Sequence, residues 1–396
     1  MSVFVIIGGG LAGAKAAEAL RDQGYDGDLV LIADEQLLPY ERPPLSKSYL
    51  LGASPWEDAV VHPESWYAEN LVDLRLDARA TALRPDEHIV EVNGDELRYD
   101  KLVLATGSTP RHLPGDDQLL HLRRRADSDA IRERFGVGRM VIVGGGWIGL
   151  EVASAARQAG TEVTVLEMAQ LPLLAAIGPE MAHVFAELHR DHGVDLRTGV
   201  SVDALRPDGV RLADGTSIDA DTVLVAIGAR PDTDVAEAAG LAVDDGVLVD
   251  ASLRTSDRDI YAIGDIANAE HPFLGRRVRV EHWANALNQP ATAGAAMLGK
   301  PASYDALPYF YTDQYDLGME YVGLAHDYAE VVIRGDRPGR EFVAFWLDRD
   351  QRVLAGMNVN VWDVVDAIRE LIRSRVPVDP TWLADPDMPL DAVTGE

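Results

Sequence analysis

The chain of 396 residues contains no cysteine. That absence excludes disulfides, thiolate nucleophiles, cysteine-ligated iron–sulfur clusters and cysteine-type structural zinc, so redox chemistry here requires a bound organic cofactor. Cations are scarce as well: 36 Lys and Arg stand against 65 Asp and Glu, a formal net charge of −29 that repels a nucleic-acid backbone. Long apolar runs are also missing. The stretch from Met140 to Leu150 is broken by glycines and stopped by Glu151, too short to cross about 30 Å of hydrocarbon. Val3 to Ile7 lacks the basic flank of a secretory signal, and a cytoplasmic location is the expectation. What remains, 47% apolar and 26% charged residues, is ordinary globular usage for two or three domains.

The apolar run Val3–Ile7 leads directly into Gly8-Gly-Gly10-Leu-Ala-Gly13 and then a helix-forming run from Ala14 to Leu20. In such a strand–turn–helix unit Gly8 permits the tight turn, Gly10 lets backbone approach a pyrophosphate and Gly13 brings helix against strand. The helix start offers unpaired N–H groups and about half a positive charge to phosphate. A second strand, Leu29 to Ile32, ends near Asp34, whose carboxylate suits a ribose hydroxyl pair. The device recurs: strand Met140–Val143, then Gly144-Gly-Gly146-Trp-Ile-Gly149, helix Leu150–Gln158 and strand Thr161–Leu166 closing on Glu167. The predicted class is α/β, with two Rossmann-like dinucleotide-binding domains.

Glu167 bears on cofactor choice. A carboxylate about 4 Å from a 2′-phosphate meets like charge, worth up to ~4 kcal/mol per unit charge at an effective dielectric of ~20. Met168, Ala169, Gln170 and Leu171 supply no cation to receive that phosphate, so NADH is expected over NADPH. The alternative is a Glu167 that merely faces solvent. Leu102–Gly107, containing Ala105, Thr106 and Gly107, and Val223–Gly228 read as paired crossovers after the two units. Ile260–Asp265 reads as a strand ending in glycine and acid, with Asp265 either on a hydroxylated chain or in a plain turn.

These motifs, together with Pro43-Pro-Leu-Ser-Lys47, Glu281-His-Trp283, Asp313-Gln-Tyr315, Val378-Asp-Pro380 and Leu383-Ala-Asp385, occur in a specific order. In that order the chain resembles the flavin-dependent pyridine-nucleotide oxidoreductases of glutathione-reductase-like fold and, within them, the putidaredoxin reductase family of oxygenase-coupled ferredoxin reductases. The resemblance implies FAD on the first unit, NADH on the second and a small α+β C-terminal domain. It places Asp34 at the adenosine ribose, Arg42 and Lys47 along the FAD, Asp265 at the ribityl chain and Trp283 near the flavin pyrimidine. Related disulfide reductases carry a redox cysteine pair that this chain lacks.

A flavin accepts hydride without an acid–base triad, so the useful protein group is a cation that stabilises arriving electron density. Lys47 is the expected cation, with Glu151 its partner by family analogy. Otherwise Lys47 is a solvated loop residue and Glu151 an exposed helix residue. Trp147 falls where relatives place an aromatic beside the nicotinamide pocket, and is either a gate or a packing residue. The expected partner is a [2Fe-2S] ferredoxin feeding a cytochrome P450 or Rieske oxygenase. An acidic ferredoxin requires gathered cations, and the candidates are Arg276, Arg277 and Arg279, and Arg369, Arg373 and Arg375 on or after an amphipathic helix Val364–Arg373 expected to bury Val365, Ile368 and Ile372. Competing readings are an NADH diaphorase or oxidase using oxygen or quinones, and a non-catalytic flavin- and NADH-responsive interaction protein. The expected domains are 1–110 with 236–307 for FAD, 111–235 for NADH and 308–396 at the C-terminus.

Overall fold

In the computed structural model, which describes residues 2–394, the chain resolves into two units. The first comprises Met1–Pro43, Pro55–Thr109 and Ala229–Ala306; the second comprises Pro44–Ser54, Pro110–Gly228 and Leu307–Glu396.

The first unit is built on a five-stranded parallel sheet, in spatial order Ile260–Ala262, Lys101–Leu104, Val3–Ile7, Asp28–Ile32 and Val72–Arg75. Its strands read as near-continuous aliphatic runs because both faces are covered. Val5, Ile6, Leu31, Leu102 and Ile260 are fully buried. Helix Leu11–Asp22 leaves the first strand through the glycine turn and packs against helix Trp283–Met297, whose Gly294 faces Ala19. The strand order changes direction beside Val3–Ile7, the position at which open α/β sheets receive ligands outside the carboxyl ends of their strands.

The second unit repeats the plan. Its parallel sheet runs Asp195–Thr198, Glu162–Glu167, Arg139–Val143 and Thr222–Val225, with helix Trp147–Gln158 after the glycine turn. The registers coincide: Ile7 pairs with Ile32 in one sheet and Val143 with Leu166 in the other, and the first glycine of each turn donates to the strand-end carbonyl, Gly8 to Ile32 and Gly144 to Leu166, at 2.9 and 2.8 Å.

The same unit carries a five-stranded antiparallel sheet, in order Tyr309–Gln314, Leu317–Gly323, Val353–Val359, Glu341–Leu347 and Glu330–Asp336. Helix Val365–Ser374 lies on it through Ile368, Leu371 and Ile372, so Leu371 takes the buried place expected of the half-buried Val365. A Cβ on Gly356 would come within 2.5 Å of the Ile368 side chain, and glycine there sets how closely helix and sheet approach. Among the described residues no helix is long and apolar enough to cross a membrane.

Candidate functional site

Each glycine turn divides its labour in the same way. A Cβ on Gly8 would lie 2.0 Å from the Ala105 carbonyl oxygen, and one on Gly13 would lie 1.9 Å from the Gly8 carbonyl oxygen. In the second turn the corresponding collisions are 2.3 Å for Gly144 with Ala226 and 2.2 Å for Gly149 with Gly144. Internal packing therefore accounts for the outer glycines. It does not account for the middle ones: nothing lies within 4 Å of a Cβ built on Gly10 or Gly146. Both residues cap a helix with extended backbone and no side-chain cap, so the first-turn N–H groups face an open cradle. That cradle fits a dinucleotide pyrophosphate at each of the two positions.

The ends of the second strands differ. Glu167, the last residue of its strand, accepts hydrogen bonds from the Gly145 N–H and the Ala169 N–H, both at 2.7 Å, and so folds back onto the turn instead of facing solvent. The matching position in the first unit is Ala33, whose Cβ occupies the space beside Gly9. Asp34 follows one residue later and is exposed. Glu35, which sequence reasoning missed, is the half-buried acid of this loop. It accepts from Arg42 at 3.0 Å and from the Tyr40 hydroxyl at 2.9 Å, while Arg42 also donates to Tyr40 at 2.7 Å. The adjoining acids at Asp34 and Glu35 were the available signal.

Elsewhere in the first unit, the strand Lys101–Leu104 delivers Ala105, Thr106 and Gly107 to the turn. The Ala105 N–H donates to Ile7 at 2.7 Å, and the Thr106 hydroxyl donates to the Asp232 carbonyl at 2.6 Å. Burial pushes the Asp232 carboxyl up, with Asp234 adding to the shift. Asp265 sits in a single turn of 3-10 helix, Gly264–Ile266, and accepts from the Ser108 hydroxyl at 2.8 Å. Gly264 is anchored by a 2.7 Å bond to Gln289. Trp283 opens helix Trp283–Met297 and donates its indole N–H to Glu41 at 2.8 Å.

In the second unit Lys47 and Glu151 meet at 2.7 Å, with the lysine side chain 13% and the glutamate 5% exposed. Neither is a solvated surface group. Glu151 also accepts from the Ser46 hydroxyl at 2.5 Å and the Thr312 hydroxyl at 2.6 Å, so its buried charge has three donors. Lys47 further lies 5.4 Å over the Tyr311 ring. Ser46 lies in the quoted motif beside Lys47, whereas Thr312 and Tyr311 come from a segment far away in sequence. Trp147 is the first residue of its helix, half-buried, with its ring 5.5 Å from Phe185 and 4.8 Å from Phe310. The Tyr309–Tyr311 aromatics belong to the first strand of the antiparallel sheet.

The expected docking arginines differ in exposure. Arg277 is held by the Val249 and Asn268 carbonyls and by Glu270, and Arg279, 12% exposed, by Asp245 and Glu281. Arg369 pairs with Asp366 at 2.8 Å and lies 5.5 Å over Tyr309. Arg276, Arg373 and Arg375 are the exposed members.

Two nucleotide cradles of one plan, a chain with no cysteine and a separate antiparallel sheet define a two-dinucleotide flavoprotein architecture. The chain belongs to the pyridine nucleotide-disulphide oxidoreductase family, which matches residues 2–290, and residues 309–394 match the reductase C-terminal family. This family implies FAD and NAD(P)H. More particularly, the chain is 41% identical to the 5,5'-dehydrodivanillate O-demethylase ferredoxin reductase subunit of Sphingobium sp. (strain NBRC 103272 / SYK-6), with 98% of each chain covered. It is 40% identical to the ferredoxin–NAD(+) reductase component of the anthranilate 1,2-dioxygenase system of Burkholderia cepacia, again over 98% of each. The crystal structure of the covalent putidaredoxin reductase–putidaredoxin complex matches with a TM-score of 0.96 at 36% identity, covering 100% of this chain and 99% of that one.

Proposed function

We infer that the chain is a ferredoxin reductase, delivering electrons from NAD(P)H to the ferredoxin of a cytochrome P450 or Rieske dioxygenase system. The observation that carries this is similarity over its full length, both cradles and the C-terminal sheet together, to a reductase solved with its ferredoxin. In the finer reading, FAD occupies the Gly8–Gly10–Gly13 cradle and NADH the Gly144–Gly146–Gly149 cradle. When bound, the flavin accepts hydride from the nicotinamide and releases electrons to the iron–sulfur partner.

The residues then take the following parts. Asp34 and Arg42 serve the FAD adenosine end, Ala105, Thr106 and Gly107 the backbone crossing over it, Asp265 the ribityl hydroxyls and Trp283 the pyrimidine side. Lys47 supplies positive charge to the flavin ring, and Glu151 holds that lysine. Trp147 gates the nicotinamide. Glu167 selects NADH, since its carboxylate braces the second turn and repels a 2′-phosphate. Residues 1–110 and 236–307 form the FAD-binding domain, 111–235 the NADH-binding domain and 308–396 the C-terminal domain, and the enzyme works in the cytoplasm. Ferredoxin docking falls to Arg276, Arg277 and Arg279 and to Arg369, Arg373 and Arg375, of which Arg276, Arg373 and Arg375 are the most exposed.

Cytochrome c reduction by the flavin-loaded protein and NADH, with and without a panel of [2Fe-2S] ferredoxins, tests the proposal. A rate that rises at least about tenfold with one ferredoxin is expected. Fast oxygen consumption with no response to any ferredoxin would replace the reading with an oxidase, and failure of NADH to reduce the flavin would replace it with a non-catalytic role.

A further inference from the structure

We propose that His112, Asp116 and His121 form a site for one divalent transition-metal ion of the Zn2+ class, clipping a surface loop of the second unit. Nothing in the reductase chemistry uses these residues.

Among the described residues they are the one group of three histidine, aspartate or glutamate side chains whose donor atoms all lie within 4.8 Å of one another. His112 Nδ1 stands 3.0 Å from Asp116 Oδ1, and His121 Nε2 stands 3.4 Å from Asp116 Oδ2. Metal–ligand bonds of about 2.0–2.1 Å place neighbouring donor atoms about 3.0 Å apart in six-coordination and about 3.3 Å apart in a tetrahedron, so each histidine–carboxylate pair stands at ligand spacing, one on each Asp116 oxygen, and a side-chain shift closes the group, all within 4.8 Å, around one ion. Two imidazoles and one carboxylate are a borderline donor set that suits zinc and its first-row neighbours and leaves at least one position for water.

Asp116 is itself held in place. The 2.7 Å bond from the Leu113 N–H to Oδ2 fixes the carboxylate as an outer-shell donor would. Asp116 is 1% exposed and His121 is 13% exposed. Both ring nitrogens of His121 are buried and neither completes a hydrogen bond of good geometry among the described residues, though the Asp116 backbone also faces the ring. A buried imidazole left in that state costs free energy. An ion on Nε2 relieves it.

The location gives the ion a structural task. Arg111 N donates to Gly228 O, Leu120 N to Val223 O, and Val225 N to Leu120 O, so both ends of the loop are tied to the strand Thr222–Val225 and its continuation. His112 and His121 sit beside those ties. An ion between them closes the loop at its base.

The test uses the full-length, flavin-loaded protein washed with a chelator and titrated calorimetrically with ZnCl2. One equivalent binding at micromolar affinity or tighter is expected, together with a rise in Tm of roughly 5 °C at a hundredfold excess over Kd. The exposed His112 tolerates replacement, and His112→Ala should weaken binding at least about tenfold and abolish the Tm shift, since even outer-shell losses cost about that much. His121→Phe should do the same. Since the chain has 10 histidines, Zn2+ binding unchanged in His112→Ala would assign the ion elsewhere and overturn the proposal. Absence of one-equivalent binding tighter than about 100 μM would overturn it as well.

Discussion

The two nucleotide cradles share strand order, register and glycine spacing, yet they diverge in charge at two matched positions. Two residues past the third glycine the first helix carries Lys15 and the second carries Glu151. Lys15 pairs with Glu18 on its own helix at 2.6 Å, a half-exposed contact worth little. Glu151 is buried and gathers Lys47, Ser46 and Thr312. At the end of the second strand the first cradle has Ala33 and the second has Glu167, which braces Gly145. The backbone device is thus generic, and the side chains at these two positions make the second cradle distinct.

Removing the buried carboxylate should have the largest effect. Glu151→Gln leaves Lys47 buried without its counter-charge and should destabilise by about 3–5 kcal/mol, read by urea unfolding, whereas Lys15→Gln should cost under about 1 kcal/mol. Equal losses would erase the contrast. Adding Lys47→Met to Glu151→Gln should recover part of the deficit.

Acid is expected to act on both units, through His282 in the first and His189 in the second. Burial lowers the His189 pKa to about 4, against a raising contribution from its bond to Gln314, and burial lowers His282 to about 4 against the attraction of Asp265. The folded state then binds fewer protons than the unfolded chain between pH 6.5 and about 4. Stability accordingly falls as pH drops through that window and levels off below it, by roughly 3 kcal/mol for the fully buried His189. His189→Gln should flatten that part of the acid-unfolding curve, and a curve identical to that of the parent would contradict the assignment.

A smaller effect is expected at the strand end. Glu167→Gln keeps the contact with the turn but removes the charge, and should reduce the NADH over NADPH preference in kcat/KM about tenfold, equivalent to ~1.4 kcal/mol. An unchanged ratio would assign the preference to other residues.

The cradles were legible in sequence because their outer glycines are required by backbone collisions that any residue with a Cβ would create. The strand and helix limits moved by only a few residues: the first helix begins at Leu11, before the run from Ala14, and the second at Trp147. The antiparallel sheet was less legible: the hairpin joining Tyr309–Gln314 to Leu317–Gly323 turns at Tyr315-Asp316 with Tyr315 at φ 58°, without the Asn-Gly or Asp-Gly pair that usually marks such a turn. The partners of Glu151 were illegible because Ser46 and Thr312 reach it across 105 and 161 residues of chain. Asp34 was selected as the strand-end acid, while the register matches Ala33 to Glu167, and Glu35 beside Asp34 pairs with Arg42.

The division of labour between cradles is most directly tested by flavin absorbance in two alanine variants. Gly10 and Gly146 have backbone angles open to alanine and nothing within 4 Å of the added Cβ, so both proteins should fold. The account predicts that Gly10→Ala is colourless even after FAD is added, and that Gly146→Ala is yellow but is no longer bleached by NADH. A colourless Gly146→Ala beside a yellow Gly10→Ala would contradict it.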